Sequence, residues 1–277
     1  MGTPRFDGLT AVMSGGSRGI GLAIATRLAE GGANLVLLAK TDQPDPRLPG
    51  TIHTAVEQIE NAGGKAVGVV GDVRNGDDVA RAATTALDVF GGIDICINNA
   101  SVLNLAKTED LSLKRFDLMQ QVNVRGTFAL TQACLPHLKK SSAPSVLTLS
   151  PPLNLTEHWM GKHPGYMLGK YGMTLLALGF AAEFAGDGIA SNCLWPETTI
   201  ATAAVENLLG GKEGTAHARD PQIMADAAAL VLSHSPARRT GRTMIDVEVL
   251  AEAGVSDLDV YGGTAPLDYD IFVDPRS

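Results

Sequence analysis

Ser14-Gly15-Gly16-Ser17-Arg18-Gly19-Ile20-Gly21 is the stretch that decides the fold of this chain. An apolar run at 9–13 precedes it and predicts a buried strand, and apolar residues recur at helical spacing over 20–28 after it. Glycines between a strand and a helix let the chain turn tightly, and they let backbone N–H groups at the helix N-terminus approach a phosphate. The stretch therefore predicts either a site for a phosphate-bearing ligand or a tight turn without one.

Composition and charge limit the classes to which the protein can belong. The 277 residues are 45% hydrophobic, which suits one large α/β domain over 1–277. The net charge of −8 comes from 30 acidic and 22 basic residues that are scattered along the chain, so no basic stripe is available for nucleic acid. We expect a single domain that does not bind nucleic acid.

The sequence carries no signal for export, membrane insertion or metal binding. Residues 1–8 lack a basic segment followed by an apolar run, and no stretch approaches the ~18 apolar residues needed to span a bilayer. The cysteines Cys96, Cys134 and Cys193 lie far apart, which suggests neither a disulfide nor a zinc site. We expect a soluble cytoplasmic protein with no membrane span, no metal and reduced thiols.

Strand and helix patterns alternate along the chain. Predicted strands cover 9–13, 33–39, 66–70, 93–97, 145–150, 188–195 and 242–247, and predicted helices cover 20–28, 51–61, 78–90, 111–138, 166–184 and 221–232. Such alternation predicts right-handed crossovers and a doubly wound, Rossmann-type parallel sheet of about seven strands. Ligands are then expected outside the carboxyl ends of the strands.

Tyr166 and Lys170 are the residues best suited to chemistry. Residues four apart on a helix share a face, so the phenol and the ammonium can point into one cleft. We expect Lys170 to lower the phenol pKa by favouring the phenolate. Such a pair can exchange a proton with a carbonyl or alcohol oxygen while hydride moves to or from a nicotinamide. The alternative is an ordinary amphipathic helix surface.

These motifs together resemble those of the short-chain dehydrogenase/reductase family. The glycine loop, Asp72-Val73, Asn98-Asn99-Ala100, Asn123-Val124-Arg125-Gly126 and Tyr166-x-x-x-Lys170 occur in the family's order and at about its spacing. Within the family, 150–155, 170–173 and 194–196 resemble the reductase domain of animal hydroxysteroid dehydrogenase-like proteins. We expect no sterol-carrier domain, because the sequence stops at Ser277.

The resemblance implies a role for each motif. The loop would wrap a pyrophosphate, Asp72 and Val73 would meet adenine, and Tyr166 would move the proton. Lys170 would hold ribose hydroxyls, and Asn123 would interrupt its helix and position a water. The cofactor-binding residues that it implies are Ser14, Gly15, Gly16, Ser17, Arg18, Gly19, Ile20, Gly21, Asp72, Val73, Asn98, Ala100, Tyr166, Lys170, Pro196 and Thr202. Asp72 could instead cap a turn, and Asn123 could be a buried residue bonded to backbone.

The sequence departs from the family pattern at the catalytic serine. Leu153 stands at the expected distance before Tyr166, and counting from the strand instead places Ser150 and Pro151 at the family's serine pair. Ser150, Asn154 or Thr156 could supply the missing donor, or the site could be weakened. A second departure is Glu197, which stands where the family has glycine after the proline.

Several apolar and aromatic residues predict a substrate wall. Trp159, Met160, Met167 and Trp195 could form it, although Trp195 could equally pack in the core. His158 and His163 are assigned no catalysis, since lone histidines beside aromatic residues usually pack or face solvent. The segment 198–219 is predicted to be a substrate lid.

The prediction for function is an NADP(H)-dependent oxidoreductase. It would transfer hydride between nicotinamide and an apolar ketone or secondary alcohol, and the resemblance favours a steroid-like or fatty-acyl-derived one. Ala39 replaces the acid that NAD enzymes place at the second strand's end, and Lys40 and Arg18 could meet a 2′-phosphate. Asp42 is the residue that argues for NAD. The alternatives are a cofactor-binding sensor or scaffold with weakened catalysis, supported by Pro151, and a pure interaction protein.

The resemblance also implies a homodimer or homotetramer. The interface would lie on the long helical regions 111–138 and 166–184, whose outer faces would carry Phe128, Leu130 and Leu178. These side chains could equally belong to the core.

Overall fold

The predicted strands form one parallel sheet. The computed structural model describes residues 4–45, 50–209, 215–234 and 239–275. Within them every neighbouring pair of strands is parallel, and the sheet order is β3-β2-β1-β4-β5-β6-β7. The strands are β1 Thr10–Ser14, β2 Asn34–Ala39, β3 Lys65–Val70, β4 Ile95–Asn98, β5 Ser145–Leu149, β6 Ala190–Trp195 and β7 Thr243–Ile245. The doubly wound, Rossmann-type sheet is confirmed.

Helices connect the strands and cover both faces of the sheet. They are α1 Gly19–Glu30, α2 Ile52–Asn61, α3 Gly76–Phe90, α4 Leu113–Met119, α5 Gly126–Leu138, α6 Glu157–Lys162, α7 Pro164–Glu183, α8 Ala203–Leu209, α9 Gln222–Leu232 and α10 Asp246–Glu252. Local sequence sets their ends: the Asn75 side chain caps α3 by accepting the Asp77 N–H, and Pro164 occupies the first turn of α7. No helix in the described ranges is long and apolar enough to cross a membrane.

Strand alternation divides the core into two layers. On β1, Ala11 and Met13 face the cluster that packs against α1, α2, α9 and α10, whereas Val12 faces the cluster against α3, α5 and α7. Cys96 and Cys134 lie buried in the second layer, and Cys193 is buried on β6. The strands other than the edge strand β3 are largely buried, and most of their residues are apolar, as is usual for covered parallel strands.

The helical region predicted over 111–138 is interrupted. The segment Gln120–Arg125 between α4 and α5 is π-helical, and Asn123 lies within it. Thr127 Oγ1 donates to the carbonyl oxygen of Asn123 at 2.6 Å. A π-helical turn re-aims the side chains that follow, and such turns are frequent at functional sites.

The residues predicted for an interface divide between surface and core. Phe128 on α5 is 44% exposed, whereas Leu130 is fully buried. The prediction that Leu130 lies on the outer face is therefore wrong, because its side chain packs into the layer against α3 and α7. Leu178 on α7 is partly buried.

Residues 268–274, which we call the C-terminal strap, return to the carboxyl ends of the strands. The backbone N–H of Asp270 donates to Glu197 O at 2.9 Å, and the Trp195 indole donates to Ile271 O at 3.0 Å. Phe272 is buried against Trp159 and packs in one cluster with Tyr166 and Tyr171. The strap thus covers the β6 edge of the region where a ligand is expected.

Candidate active site

A cleft of about 590 Å³ lies at the carboxyl ends of the strands. It opens beside β1 and β4, where the strand order reverses, which is the usual ligand site of such sheets. The glycine loop lines one part of it, and Tyr166 and Lys170 of α7 line another. In the described part of the chain, no group of three or more His, Cys, Asp or Glu side chains could hold a metal ion. The cleft therefore brings the two main predicted motifs into one site.

The glycine loop needs its glycines for steric reasons. A Cβ on Gly21 would lie 2.5 Å from Asn99 Nδ2 and from Gly15 O, and one on Gly15 would lie 2.9 Å from the Ala100 Cα. Gly15 also has a left-handed φ of 74° and Gly19 one of 54°, which side-chain-bearing residues rarely adopt. Backbone is therefore exposed to the cleft at the start of α1, and this cradle fits a pyrophosphate.

Two of the predicted loop residues support the cradle from behind. Ser14 Oγ accepts hydrogen bonds from the N–H groups of Asn99 at 3.3 Å and Ala100 at 3.2 Å. A Cβ on Gly16 would lie 2.7 Å from the Leu37 side chain, so this glycine packs against β2. Neither Ser14 nor Gly16 is among the described residues that line the cleft, whereas Ser17, Arg18, Gly19 and Ile20 are.

The loop after β4 contributes a different asparagine from the one predicted. Asn98 is buried and donates from Nδ2 to Thr131 Oγ1 at 3.0 Å, away from the cleft. Asn99 lines the cleft and donates to Gly15 O at 2.8 Å, which ties β4 to the glycine loop. Ala100 lines the cleft as expected. The period of two along a strand could have indicated that neighbouring residues face opposite ways.

The end of β2 presents a basic residue to the cleft. Ala39 and Lys40 line it, and Lys40 is exposed. Asp42 is not among the described cleft residues; its carboxylate accepts from His53 Nε2 at 2.7 Å, and this contact lowers the Asp42 pKa. Arg18 lines the cleft and donates to Gly50 O at 2.9 Å. Asp42, the residue that would favour NAD, therefore contacts His53 and does not line the cleft.

Asp72 and Val73 line the cleft after β3, as the resemblance implies. The Asp72 carboxylate also accepts from the backbone N–H of Arg74 at 2.9 Å and pairs with its guanidinium at 2.7 Å. These hydrogen bonds lower the Asp72 pKa. Asp72 therefore both closes a turn and faces the cleft, so the two alternatives for it coexist.

Tyr166 and Lys170 are almost fully buried on α7, one turn apart. The Tyr166 ring stacks on Phe272 with centroids 6.0 Å apart. Lys170 Nζ donates to Leu149 O at 2.9 Å and lies 4.9 Å from the centroid of the Trp195 ring. Packing and hydrogen bonding thus hold both side chains in fixed positions at the cleft.

Burial controls the protonation of this pair. It raises the Tyr166 pKa above its ordinary value, and the charge of Asp270 acts in the same direction. Burial also lowers the Lys170 pKa to about 7, against the opposing effect of Asp270. The expectation that Lys170 lowers the phenol pKa is therefore wrong, and Tyr166 is a weaker acid than free tyrosine that keeps its proton at neutral pH.

Asn123 binds backbone rather than facing the cleft. Its Oδ1 accepts from the Val102 N–H at 2.8 Å, and its Nδ2 donates to Val102 O at 3.2 Å. Asn123 is fully buried and is not among the described cleft residues. The contacts of Asn123 are therefore those of a buried polar residue bonded to backbone, which is the alternative given above.

The three predicted replacements for the catalytic serine all lie outside the cleft lining. Ser150 is fully buried beside the Cys193 thiol, and its Oγ makes no hydrogen bond of normal geometry. Asn154 Nδ2 donates to Asp274 Oδ2 at 2.7 Å, and Asn154 Oδ1 accepts from Thr156 Oγ1 at 2.9 Å. None of the three is among the described cleft residues. The core surrounds Ser150, Asn154 bonds to the strap, and Thr156 bonds to Asn154.

The predicted substrate wall is only partly present. Trp195 lines the cleft, whereas Trp159 packs under Phe272 and Met160 is exposed. Trp159, Met160 and Met167 are not among the described cleft residues. The apolar lining comes instead from Val102, Leu103, Leu105, Val122, Ile200 and Ile271.

The described part of the segment 198–219, predicted to be a lid, lies against the glycine loop at Thr202. Pro196 and Thr202 line the cleft, and the Thr202 methyl would lie 3.2 Å from a Cβ on Gly19. Residues 210–214 of the predicted lid lie outside the described residues. Glu197 does not need to be glycine, because its φ is not left-handed. In the described ranges Phe272 is the one non-glycine residue with a left-handed φ.

Asp270 is a cleft residue that the sequence analysis missed. Its side chain lines the cleft with Tyr166, Lys170 and Trp195. Burial raises its pKa to about 7, against the opposing charge of Lys170. No sequence signal marks Asp270, because it lies in an irregular segment and reaches the site only through the strap's tertiary contacts.

Comparison with known proteins agrees with this geometry. Residues 9–211 match the model of the short chain dehydrogenase family. The chain is 47% identical to hydroxysteroid dehydrogenase-like protein 2 of Xenopus tropicalis over 98% of its own length, and it spans 65% of that relative's length.

Solved structures show the same likeness. A short chain dehydrogenase from Mycobacterium thermoresistibile is 54% identical, with a TM-score of 0.92 over 97% of this chain and 96% of that one. Carveol dehydrogenase from Mycobacterium avium in complex with NAD shares the fold at 21% identity, with a TM-score of 0.76 over 88% and 97% of the two chains. The chain belongs to the short-chain dehydrogenase/reductase family, whose members are oxidoreductases that bind a nicotinamide cofactor.

Proposed function

We propose that the protein is an NADP(H)-dependent carbonyl reductase that converts an apolar ketone to a secondary alcohol. The observation that carries the proposal is the placement of Tyr166 and Lys170 in the cleft that the glycine loop opens. The loop, Asp72 and Val73 would hold the dinucleotide, and Lys170 would hold the nicotinamide ribose. When bound, the reduced nicotinamide supplies the hydride.

The protonation state of Tyr166 suits the step in which a ketone is reduced. The phenol carries its proton at neutral pH, as free tyrosine also does, and burial raises its pKa further, so it can donate to a carbonyl oxygen as negative charge develops there. Tyr166 is only 5% exposed, and burial from water strengthens such a hydrogen bond. Tyr166 is therefore a general acid in this proposal.

The lining of the cleft supports an apolar substrate. Leu103, Leu105 and Ile271 contribute apolar surface beside Tyr166. The curated relatives of similar sequence are named hydroxysteroid dehydrogenase-like, so a steroid-like or fatty-acyl-derived ketone is the class we propose.

A panel of apolar ketones with NADPH tests the function. We expect loss of reduced-nicotinamide absorbance with at least one steroid-like or fatty-acyl-derived ketone. A second candidate, an NADP(H) sensor with weakened catalysis, is favoured by the position of Ser150, whose hydroxyl is buried outside the cleft. Tight NADPH binding without turnover across the panel would favour the sensor.

The Lys40→Ala variant tests the preference for NADP(H). Lys40 lines the cleft after β2 and can pair with a 2′-phosphate, so we expect NADPH affinity to fall roughly tenfold, the loss of about one charge-assisted hydrogen bond. Fluorescence titration with NADPH and NADH measures it. Asp42→Ala is the control, because Asp42 pairs with His53 and should leave both affinities unchanged. Equal NADPH and NADH affinity in the unmutated protein would contradict the preference.

We also propose a homodimer or homotetramer assembled through α5 and α7. Leu168 and Leu175 on α7 are 51% and 59% exposed. The ring centroids of Phe128 on α5 and Phe180 on α7 are 6.2 Å apart. Light scattering at micromolar concentration should give at least the dimer mass, and Leu175→Asp should shift it toward the monomer. A monomer for the unmutated chain would overturn the assembly.

A further inference from the structure

A hydrogen-bond donor to the substrate oxygen besides Tyr166 would stabilise the negative charge that develops there in the proposed reaction. The strand end that carries a serine in the family pattern offers Ser150, whose Oγ is buried outside the cleft lining. Asn154 donates to Asp274 of the strap, and Thr156 donates to Asn154. A side-chain donor to the substrate would therefore have to come from another residue of the cleft lining.

The backbone at Asp270 is held at the edge of that cleft, and Asp270 is one of the residues that line it. The N–H of Asp270 donates to Glu197 O at 2.9 Å, and the next residue, Ile271, accepts from the Trp195 indole at 3.0 Å. These contacts tie the strap to the end of β6 on both sides of the carboxyl group. Phe272 then stacks on Tyr166, so the strap and the general acid are held against each other.

We propose that Asp270 is a catalytic residue that binds the substrate oxygen in place of the absent serine, donating a hydrogen bond from its protonated carboxyl group. This inference rests on the proposed reductase function. Its supports are the shared cleft, the two backbone contacts and the stacking of the strap on Tyr166. A neutral carboxylic acid in an apolar site can act as such a donor.

The charged and titratable groups around Asp270 make this protonation state accessible. Tyr166 and Lys170 face it from α7, Trp195 lies beside it on β6, and Asp246 acts on it from α10. Burial is the largest effect and Asp246 adds to it, so the Asp270 pKa rises to about 7 although Lys170 opposes the shift. Below that pH the group is a donor, and above it a carboxylate that repels a developing oxyanion.

The reaction step balances without a further reactant. The carbonyl carbon receives hydride from the reduced cofactor, the electron pair of the C=O π bond moves to oxygen, and Tyr166 transfers its phenol proton to that oxygen. Asp270 keeps its own proton and contributes only the hydrogen bond. Reduction should therefore slow as pH rises through the Asp270 pKa.

Two variants of Asp270 and one matched control test the inference. Asp270→Asn keeps a hydrogen-bond donor and removes the titration of this carboxyl, so the decline of ketone reduction between about pH 6 and 8 should become smaller. Any decline that remains is expected from Lys170, whose pKa is also about 7. Asp270→Ala should reduce kcat/KM at pH 6 by roughly 100-fold, the usual cost of one oxyanion donor. Asp274→Asn is the control, because Asp274 belongs to the same strap and binds Asn154 and Trp159 outside the cleft. It should keep the decline with pH.

A second readout does not depend on turnover. Carbon NMR of aspartate-labelled protein should show two carboxyls that titrate near pH 7, those of Asp270 and Asp246, and only the Asp270 signal should disappear in Asp270→Asn. NADPH affinity should be unchanged in both Asp270 variants. An unchanged pH profile in Asp270→Asn, or an Asp270 carboxyl ionised well below pH 6, would overturn the inference alone. Absence of ketone reduction by the unmutated protein would instead overturn the proposed function and the inference with it.

Discussion

Tyr166→Phe is expected to lower ketone reduction by roughly 1,000-fold, within the range of about 10²–10⁴ that a positioned general acid contributes. The variant lacks the proton that the carbonyl oxygen must receive, whereas the ring and its stacking on Phe272 remain. NADPH binding should survive, because the glycine loop and Lys170 hold the cofactor in our proposal. Steady-state assays and NADPH titration of the same preparation measure both quantities.

Tyr171→Phe is the matched control for this experiment. Tyr171 lies on the same helix, packs on Phe272 and donates from its hydroxyl to Asn154 O at 2.6 Å, outside the cleft lining. Its loss should cost about 1 kcal/mol of stability and change turnover only a few-fold. Full activity in Tyr166→Phe, or equal losses in the two variants, would remove Tyr166 from the role of acid.

Gly21→Ala should abolish high-affinity dinucleotide binding. The added Cβ would lie 2.5 Å from Asn99 Nδ2 and from the backbone oxygen of Gly15, so α1 and the loop must move apart. The backbone N–H groups of the cradle would then no longer converge on a pyrophosphate. Because several charge-assisted hydrogen bonds of about 1.5–3 kcal/mol each would be lost, we expect the NADPH Kd to rise at least ~100-fold. Overpacking should also cost about 1–3 kcal/mol of stability.

Gly179→Ala separates this effect from the general effect of replacing a helical glycine. A Cβ on Gly179, on α7, would meet nothing within 4 Å, so the variant should fold and bind NADPH normally. Thermal unfolding should show it to be at least as stable as the unmutated chain. Undiminished NADPH affinity in Gly21→Ala would show that the cradle is not the cofactor site.

The sheet could be predicted from the sequence because its signals are local. Apolar runs such as 34–39 and the glycines at 15, 19 and 21 specify strands and a turn without reference to distant residues. The break at Asn123 could be expected from the resemblance, but its π-helical form and the hydrogen bonds of Asn123 to Val102 carry no signal in the sequence. The sequence leaves both a core and an interface open for Leu130, because an apolar residue on a helix suits either, and the structure places it in the core.

The site was harder to predict than the fold because burial and long-range contacts determine it. Tyr166 and Lys170 were found by their spacing, yet the direction of the Tyr166 pKa follows from burial, which the spacing does not reveal. Asp270 lies about 100 residues from Tyr166 along the chain and comes near it only through the strap. The sequence does not distinguish Asn99 from Asn98 as the cleft residue, because the exact end of β4 decides which of the two side chains faces the cleft.

Transfer of label from reduced cofactor to product tests the central claim most directly. Unmutated protein is incubated with NADPH that carries deuterium at the transferred position of nicotinamide C4, together with the apolar ketones of the panel, and the products are analysed by mass spectrometry. The account predicts a secondary alcohol with one deuterium on the former carbonyl carbon, formed by the unmutated protein and not detectably by Tyr166→Phe. Bound NADPH with no labelled alcohol from any ketone would contradict it.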